Sequence, residues 1–205
     1  MCSVAVTETE TNNDEDDNDV RIRKYQPSSS RDLPSVQKLF ADGMRFQNAG
    51  EWYIQQSLAS DLSSIEKIYF VGRGTFLVME RKSDHKIIGI IGLQDLSTTT
   101  TTTTNSSSDG NNNTTGNSDG SNDNNMCELR RMSIDSNERR KGYGKQLIKY
   151  FISYGKQQNY KGIILTTGSW VTSVHQFYSS LGFTNMGNVE YQKSGIMLTN
   201  FQMIF

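Results

Sequence analysis

The sequence predicts an α/β domain built on one sheet of mixed strand direction. Segments with the two-residue alternation of strands and segments with the spacing of amphipathic helices follow one another along most of the chain. A strand, a helix and a second strand succeed one another over residues 127–167, which indicates a parallel crossover unit. Two low-complexity segments lie outside this pattern. The 157 residues that remain of 205 suffice for one compact core but not for two of typical size.

The low-complexity segments are an N-terminal tail and an insert in mid-chain. Residues 1–19 carry seven acidic and no basic residues, and residues 97–125 consist only of Thr, Asn, Ser, Gly and Asp. Neither segment can bury enough apolar surface to offset the entropy lost on ordering, so we predict that both are disordered. Because the entropy of loop closure grows only logarithmically with length, a single domain at 20–205 can carry this insert in a surface connection between two strands.

The first part of the domain is predicted as a strand, two helices and two strands. Residues 20–25 alternate apolar and basic side chains, and Ser30 to Pro34 provide a helix start with proline early in the first turn. A second, more polar helix is predicted from about residue 50 to 68, followed by strands over 75–81 and 86–93. The first helix should direct toward the core Leu33, Val36, Leu39, Phe40 and Met44.

The second part of the domain continues with alternating strands and helices. The predicted elements are a strand at 127–134, a helix at about 142–157, a strand at 162–167, a helix at about 172–181, and terminal strands near 183–191 and 196–205. Strands interleaved with helices in this way favour a helix-covered sheet, with functional groups gathered at the crossover.

The charge of the predicted domain differs from that of the whole chain. All 21 basic residues lie outside the two low-complexity segments, together with only 12 of the 22 acidic ones, so the domain carries a net charge of about +9. A domain of this charge is expected to bind an anion.

Several classes of protein are excluded by composition. No apolar run approaches the roughly 18 residues of a membrane span, and the N-terminus lacks a secretory signal. The two cysteines and two histidines have no spacing typical of a disulfide framework or a metal site. We therefore expect a cytoplasmic protein without a metal, with a nuclear location left open.

The most informative segment connects the strand ending at Ile134 to the helix beginning at Gly142-Tyr143-Gly144. The first turn of a helix has free backbone N–H groups that attract phosphate, and the two glycines leave these groups accessible. Four basic residues surround the turn: Arg139, Arg140, Lys141 and Lys145. The pattern is neither a dinucleotide fingerprint nor a Walker loop, and alone it is also compatible with a solvated connection.

Two motifs in this region resemble a known family. Arg139-x-x-Gly142-x-Gly144 matches the Arg/Gln-x-x-Gly-x-Gly/Ala signature of the GNAT superfamily of N-acetyltransferases, and Tyr178 precedes Gly182-Phe183 as in the family's next motif. The stretch 128–132 is most similar to the camello-like branch. The resemblance is specific over about 127–184 and implies a mixed, mostly antiparallel central sheet of about seven strands flanked by about four helices.

The resemblance also implies an activity and a set of site residues. The activity is transfer of an acetyl group from acetyl-CoA to a primary amine, on a small molecule or a protein, by direct attack in a ternary complex. Nucleic acid is not an expected partner. Tyr178 matches the family's general acid, and Glu128 has the spacing of a carboxylate general base. The expected cofactor contacts are Met132, Ser133 and Ile134 along the pantetheine arm, and Arg139, Arg140, Lys141, Gly142, Tyr143, Gly144 and Lys145 around the pyrophosphate.

Each of these assignments has a structural alternative. Tyr178 lies on an apolar helical stripe and could belong to the core, and Glu128 could pair with Arg130. Trp170 could line the substrate site or cover the sheet. The alternative function is a non-catalytic acyl-CoA-binding or scaffolding protein of the same fold.

Overall fold

The computed structural model describes residues 19–97, 125–191 and 195–205. The predicted disordered tail and insert fall almost wholly outside these residues, so their disorder stays a prediction.

Seven strands of the described residues form one sheet. They are β1 (Val20–Lys24), β2 (Thr75–Arg81), β3 (Ile87–Asp95), β4 (Met126–Ile134), β5 (Gly162–Gly168), β6 (Thr184–Tyr191) and β7 (Ile196–Ile204). Their order across the sheet is β1-β2-β3-β4-β5-β7-β6. Neighbouring strands are antiparallel except β4 and β5, which are parallel as the predicted crossover requires. The predicted fold class is confirmed.

Five helices are described around the sheet, one more than predicted. They are α1 (Asp32–Phe46), α2 (Glu51–Ala59), α3 (Ile65–Tyr69), α4 (Tyr143–Gln157) and α5 (Thr172–Ser180). None of the described helices has the length and apolarity needed to cross a bilayer.

The prediction of one helix over residues 50–68 is wrong. The chain turns between α2 and α3, where Asp61 and Leu62 are only 6% and 0% exposed. The Asp61 carboxylate accepts hydrogen bonds from the Arg131 guanidinium on β4. This contact draws the turn toward the sheet, whereas the polar residues of the segment suggested an exposed helix face.

Helices cover both faces of the sheet, and each interface has its own core. On one face α1, α2 and α3 bury Val36, Phe40, Ile54, Ile65 and Tyr69 against the strands. On the other face α4 and α5 bury Leu147, Ile148, Phe151 and Tyr178. Full burial of such a side chain contributes about 1.5–3 kcal/mol.

Strands β4 and β5 separate partway along their length. Their pairing covers only Met126 to Leu129 and Gly162 to Leu165, whereas β5 stays paired with β7 through Gly168. The edge of β4 that faces β5 is therefore open over residues 130–134. This opening makes a passage between the two helical layers.

A β-bulge bends β4 at the same place. The register with β3 shifts so that two residues of β4, Arg131 and Met132, stand against one residue of β3. Arg131 has a positive φ of 56°. The bulge directs the Arg131 side chain toward α2, where it contacts Tyr53 and Asp61, and the Met132 side chain toward α5, where it contacts Tyr178.

Candidate active site

A cleft of about 970 Å³ lies where β4 and β5 separate. Its walls come from the end of α1, from α2, and from strands on both sides of the gap. Glu128 from one face of the sheet and Tyr178 from the helix on the other face both line it. The gap thus brings together the two residues predicted to exchange protons.

The Glu128 side chain is part-buried and accepts no hydrogen bond from the described residues. Burial raises the pKa of Glu128, and the nearby Arg130 and Arg131 only partly offset this effect. Arg130 does not pair with it, because its Nη1 donates to Gln94 Oε1 at 2.7 Å. A carboxylate with a raised pKa and no fixed partner is suited to accept a proton.

Tyr178 is both a core residue and a cleft residue. Its ring packs edge-on against Phe177 and Phe183, with centroids 5.4 and 5.5 Å away. Its hydroxyl donates to Met132 Sδ at 3.7 Å, and burial raises its pKa. The phenol is therefore protonated at neutral pH.

A buried ion pair borders the cleft next to Glu128. Arg131 donates from Nε and Nη2 to the Asp61 carboxylate at 2.8 and 2.6 Å, and from Nη1 to the Tyr53 hydroxyl at 3.0 Å. The Tyr69 hydroxyl also donates to Asp61, at 2.5 Å. No sequence pattern predicted a role for this cluster. The helix-breaking stretch Asp61-Leu62-Ser63-Ser64 was the available signal.

The mouth of the cleft is lined by apolar and aromatic side chains. Trp170 lines it, and its Nε1 donates to the backbone oxygen of Gln47 at 2.7 Å, which joins the segment after β5 to the residue that follows α1. The remaining members of this rim are Trp52, Tyr53, Ile68, Val189 and Tyr191. Trp170 is thus part of the cleft wall rather than a cover of the sheet.

The loop before α4 has the geometry expected for binding phosphate. Gly142 has a φ of 87°, and a Cβ there would meet no atom within 4 Å, so the space in front of it is open. The N-terminus of α4 has no side-chain cap. Arg140 and Lys145 beside it are exposed. Free N–H groups, open space and positive charge therefore coincide at this turn.

Two of the predicted phosphate ligands have partners within the chain. Arg139 Nε donates to the backbone oxygen of Ile134 at 3.1 Å, and its guanidinium lies 4.0 Å from the centre of the Phe46 ring. Lys141 Nζ lies 2.8 Å from the Glu138 carboxylate. Their side chains would have to share or leave these contacts to reach a ligand.

The predicted contacts on β4 connect this loop to the cleft. A Cβ at Gly144 would lie 3.7 Å from Met132 Cε, and the sulfur of Met132 is the partner of the Tyr178 hydroxyl. The Ser133 hydroxyl donates a hydrogen bond to the backbone oxygen of Leu39 at 2.8 Å. A ligand along β4 would therefore contact the backbone of Ser133 rather than its side chain. The loop, the open edge of β4 and the cleft fit a long ligand with a pyrophosphate at one end and a thioester at the other.

Solved structures share this fold. An acetyltransferase of the GNAT family from Staphylococcus aureus Mu50 superposes with a TM-score of 0.66 at 23% identity, covering 90% of this chain and 98% of that one. An acetyltransferase from Streptococcus agalactiae 2603 superposes with a TM-score of 0.67 at 15% identity, covering 91% and 99%. At these identities the likeness concerns the fold alone.

Curated proteins are similar over most of this chain. N-acetylaspartate synthetase of Xenopus tropicalis is 29% identical over 157 residues, which is 75% of this chain and 48% of that protein. Human N-acetyltransferase 8 is 27% identical over 136 residues, which is 66% of this chain and 50% of that protein. The chain spans about half the length of these curated relatives.

A model of the acetyltransferase (GNAT) family matches residues 45–183, which is more than half of the chain. The match includes β4, the glycine loop, α4 and α5, the elements that build the cleft and its approach. The chain belongs to the GNAT family of acetyltransferases.

Proposed function

We propose that this protein transfers an acetyl group from acetyl-CoA to a primary amine by direct attack in a ternary complex. The observation that carries the proposal is the opening between β4 and β5, which joins the glycine loop to the cleft lined by Glu128 and Tyr178. Family membership supports the same donor and reaction class.

Each of the two residues handles one proton. Glu128 accepts a proton from the acceptor ammonium, directly or through one water, and so frees the nitrogen lone pair. That nitrogen bonds to the thioester carbon, the carbon–sulfur bond breaks, and Tyr178 donates its phenolic proton to the leaving sulfur. The second proton that the nitrogen loses on becoming an amide returns to Tyr178. The Met132 backbone N–H is the proposed donor to the carbonyl oxygen during attack.

The electrostatic environment supports these roles. Burial raises the pKa of Glu128, which strengthens it as a proton acceptor. Burial also raises the pKa of Tyr178, which keeps the phenol protonated at neutral pH and so leaves it a proton to donate. Both effects arise from removal of water, and both side chains border the same cleft.

The named relatives suggest the first acceptors to test. One relative is called an N-acetylaspartate synthetase, so an amino acid is a reasonable acceptor for this chain too. The aromatic rim formed by Trp52 and Trp170 can also contact an apolar substituent.

The deciding experiment compares Glu128→Gln and Tyr178→Phe with the wild type in acetyl transfer and in acetyl-CoA binding. Loss of a general acid or base lowers turnover by roughly 10²–10⁴-fold. We expect that loss in kcat for both variants, with acetyl-CoA affinity within a few-fold of wild type. Full turnover in both variants would refute the assigned roles. Acetyl-CoA binding without turnover of any amine by wild-type protein would favour the non-catalytic alternative.

A further inference from the structure

The cleft contains two adjacent arginines in different environments. Arg131 is neutralised, because its guanidinium forms a two-point contact with Asp61 and its side chain is only 7% exposed. Arg130 lines the same cleft, and its side-chain partner is the neutral amide oxygen of Gln94. Within the part of the chain that the structure describes, no carboxylate forms an ion pair with Arg130.

The guanidinium of Arg130 lies near Glu128 on the same strand. The two residues are two positions apart on β4, so their side chains leave the same face of the strand roughly 7 Å apart. When the acceptor amine lies at Glu128, an anionic group bonded near that amine is therefore within reach of Arg130. An α-amino acid carries its ammonium and its carboxylate on one carbon and fits this spacing.

The other charges in the cleft leave Arg130 as the favourable place for an anionic group of the substrate. The other charged side chains that line it are Arg131, already paired, and three carboxylates, Asp61, Glu128 and Glu190. Because Asp61 is paired with Arg131, an anionic group on the acceptor is repelled by Glu128 and Glu190, and its favourable place is beside Arg130.

We propose that Arg130, oriented by Gln94, binds a carboxylate that stands next to the acceptor amine and so selects amino acids over simple amines. This inference rests on the proposed acetyl transfer. The guanidinium has donors left over after its contact with Gln94, and a planar guanidinium matches a carboxylate in a charge-assisted, two-point contact. Gln94 on β3 is a positioning residue, because it fixes the guanidinium without consuming its charge.

The test compares acids with their neutral isosteres. L-Aspartate and L-phenylalanine are each assayed beside their α-carboxamides, and the ratio of kcat/KM for acid over carboxamide is measured in each protein. A charge-assisted contact contributes enough for a ratio of roughly ten- to a hundredfold in the wild type. Taking the ratio within one protein cancels any change in the reactivity of Glu128 that a substitution causes.

Two different substitutions should abolish the preference. Arg130→Met removes the cation, and Gln94→Glu keeps the arginine but supplies an internal carboxylate that competes for it. We expect the ratio to fall roughly ten- to a hundredfold below the wild-type value in both variants. Lys149→Met removes a positive charge from the exposed face of α4 and should keep the wild-type ratio. If Arg130→Met does not fold, Gln94→Glu decides alone.

The outcomes separate this inference from the proposed function. Wild-type protein that acetylates carboxamides as well as acids, or variants that keep the preference, would overturn the role of Arg130 and leave acetyl transfer intact. Folded wild-type protein that transfers acetyl to no amine would overturn both.

Discussion

The regions around Glu80 on β2 and Glu128 on β4 place the same side chain in opposite surroundings. Glu80 is fully buried and contacts Arg21, Arg23 and His85 at 2.6–2.9 Å. Burial opposes ionisation, but the hydrogen bonds from His85 and the two arginines outweigh it and lower the pKa of Glu80 to about 2. Glu128 has no such donors, and burial raises its pKa.

The difference shows how a carboxylate in the cleft stays without an ion pair beside two arginines. Arg131 is held by Asp61 and Arg130 by Gln94, so neither guanidinium neutralises Glu128. At Glu80 the arginines are free to bind the glutamate itself, and Arg23 also ties it to Asp32 on α1. A carboxylate surrounded by donors fixes the fold there, whereas one without donors is available for proton transfer.

The largest expected effect follows from Asp61→Asn. Arg131 would stay buried without its carboxylate, and removing one partner of a buried ion pair costs about 3–5 kcal/mol. Unfolding by urea measures this loss. Asp42→Asn is the matched control, because Asp42 pairs with Lys38 on the exposed side of α1 and such pairs contribute about 0–1 kcal/mol. Equal losses in the two variants would contradict a structural role for the Asp61–Arg131 pair.

Arg23→Met should destabilise the protein without changing its chemistry. Hydrogen bonds to charged groups contribute about 1.5–3 kcal/mol, and Arg23 bonds both Glu80 and Asp32. Glu80 would retain Arg21 and His85, and Asp32 would retain the backbone N–H of Gln26, so we expect a loss of about 2–3 kcal/mol. The kcat/KM of the folded variant should equal that of the wild type, since neither Arg23 nor Glu80 lines the cleft. A large fall in kcat/KM at a temperature where the variant is folded would contradict a purely structural role for the region around Glu80.

The pH dependence of activity should report the raised pKa of Glu128. The proposed base works deprotonated, so kcat/KM should rise with pH through that pKa, which burial raises above the ordinary range of a glutamate, and fall about tenfold per pH unit below it. Asp61 contributes to the increase, so folded Asp61→Asn should move this limb to lower pH. A wild-type acid limb that persists in Glu128→Gln would assign it to another group.

The pH dependence of stability should report the lowered pKa of Glu80. A carboxylate with a folded pKa of about 2 and an ordinary value of 4.5 stabilises the fold above pH 4.5, and this contribution is lost as pH falls toward 2. Glu80→Gln removes that titration, so its free energy of unfolding should fall less steeply over this range. Identical slopes for variant and wild type would show that Glu80 is not specially stabilised in its ionised form.

The sequence was most informative where local spacing determines structure. The alternation in β1 and β2, the amphipathic α4 and the Gly142-Tyr143-Gly144 turn are local patterns, and each was predicted within one or two residues. The resemblance to the family predicted Glu128 and Tyr178 as site residues, and both line one cleft in the structure.

The missed features depend on contacts between distant segments. The break between α2 and α3 is coupled to the contact between Asp61 and Arg131, which are 70 residues apart. The bulge that aims Arg131 depends on the register of β3 with β4 across the insert. Neither contact can be predicted from one sequence, because local composition does not indicate which distant residue a charged side chain contacts.

The most direct test of the active-site assignment is a calorimetric titration of acetyl-CoA into wild type, Gly142→Glu and Gly187→Glu. Both glycines have positive φ, of 87° and 97°, and open space where a Cβ would stand, but Gly187 lies on the edge strand β6 and does not line the cleft. We expect micromolar binding in the wild type and in Gly187→Glu, and no detectable binding in Gly142→Glu, because its carboxylate would occupy the phosphate position. Equal binding in all three proteins, or none in folded wild type, would contradict the assignment.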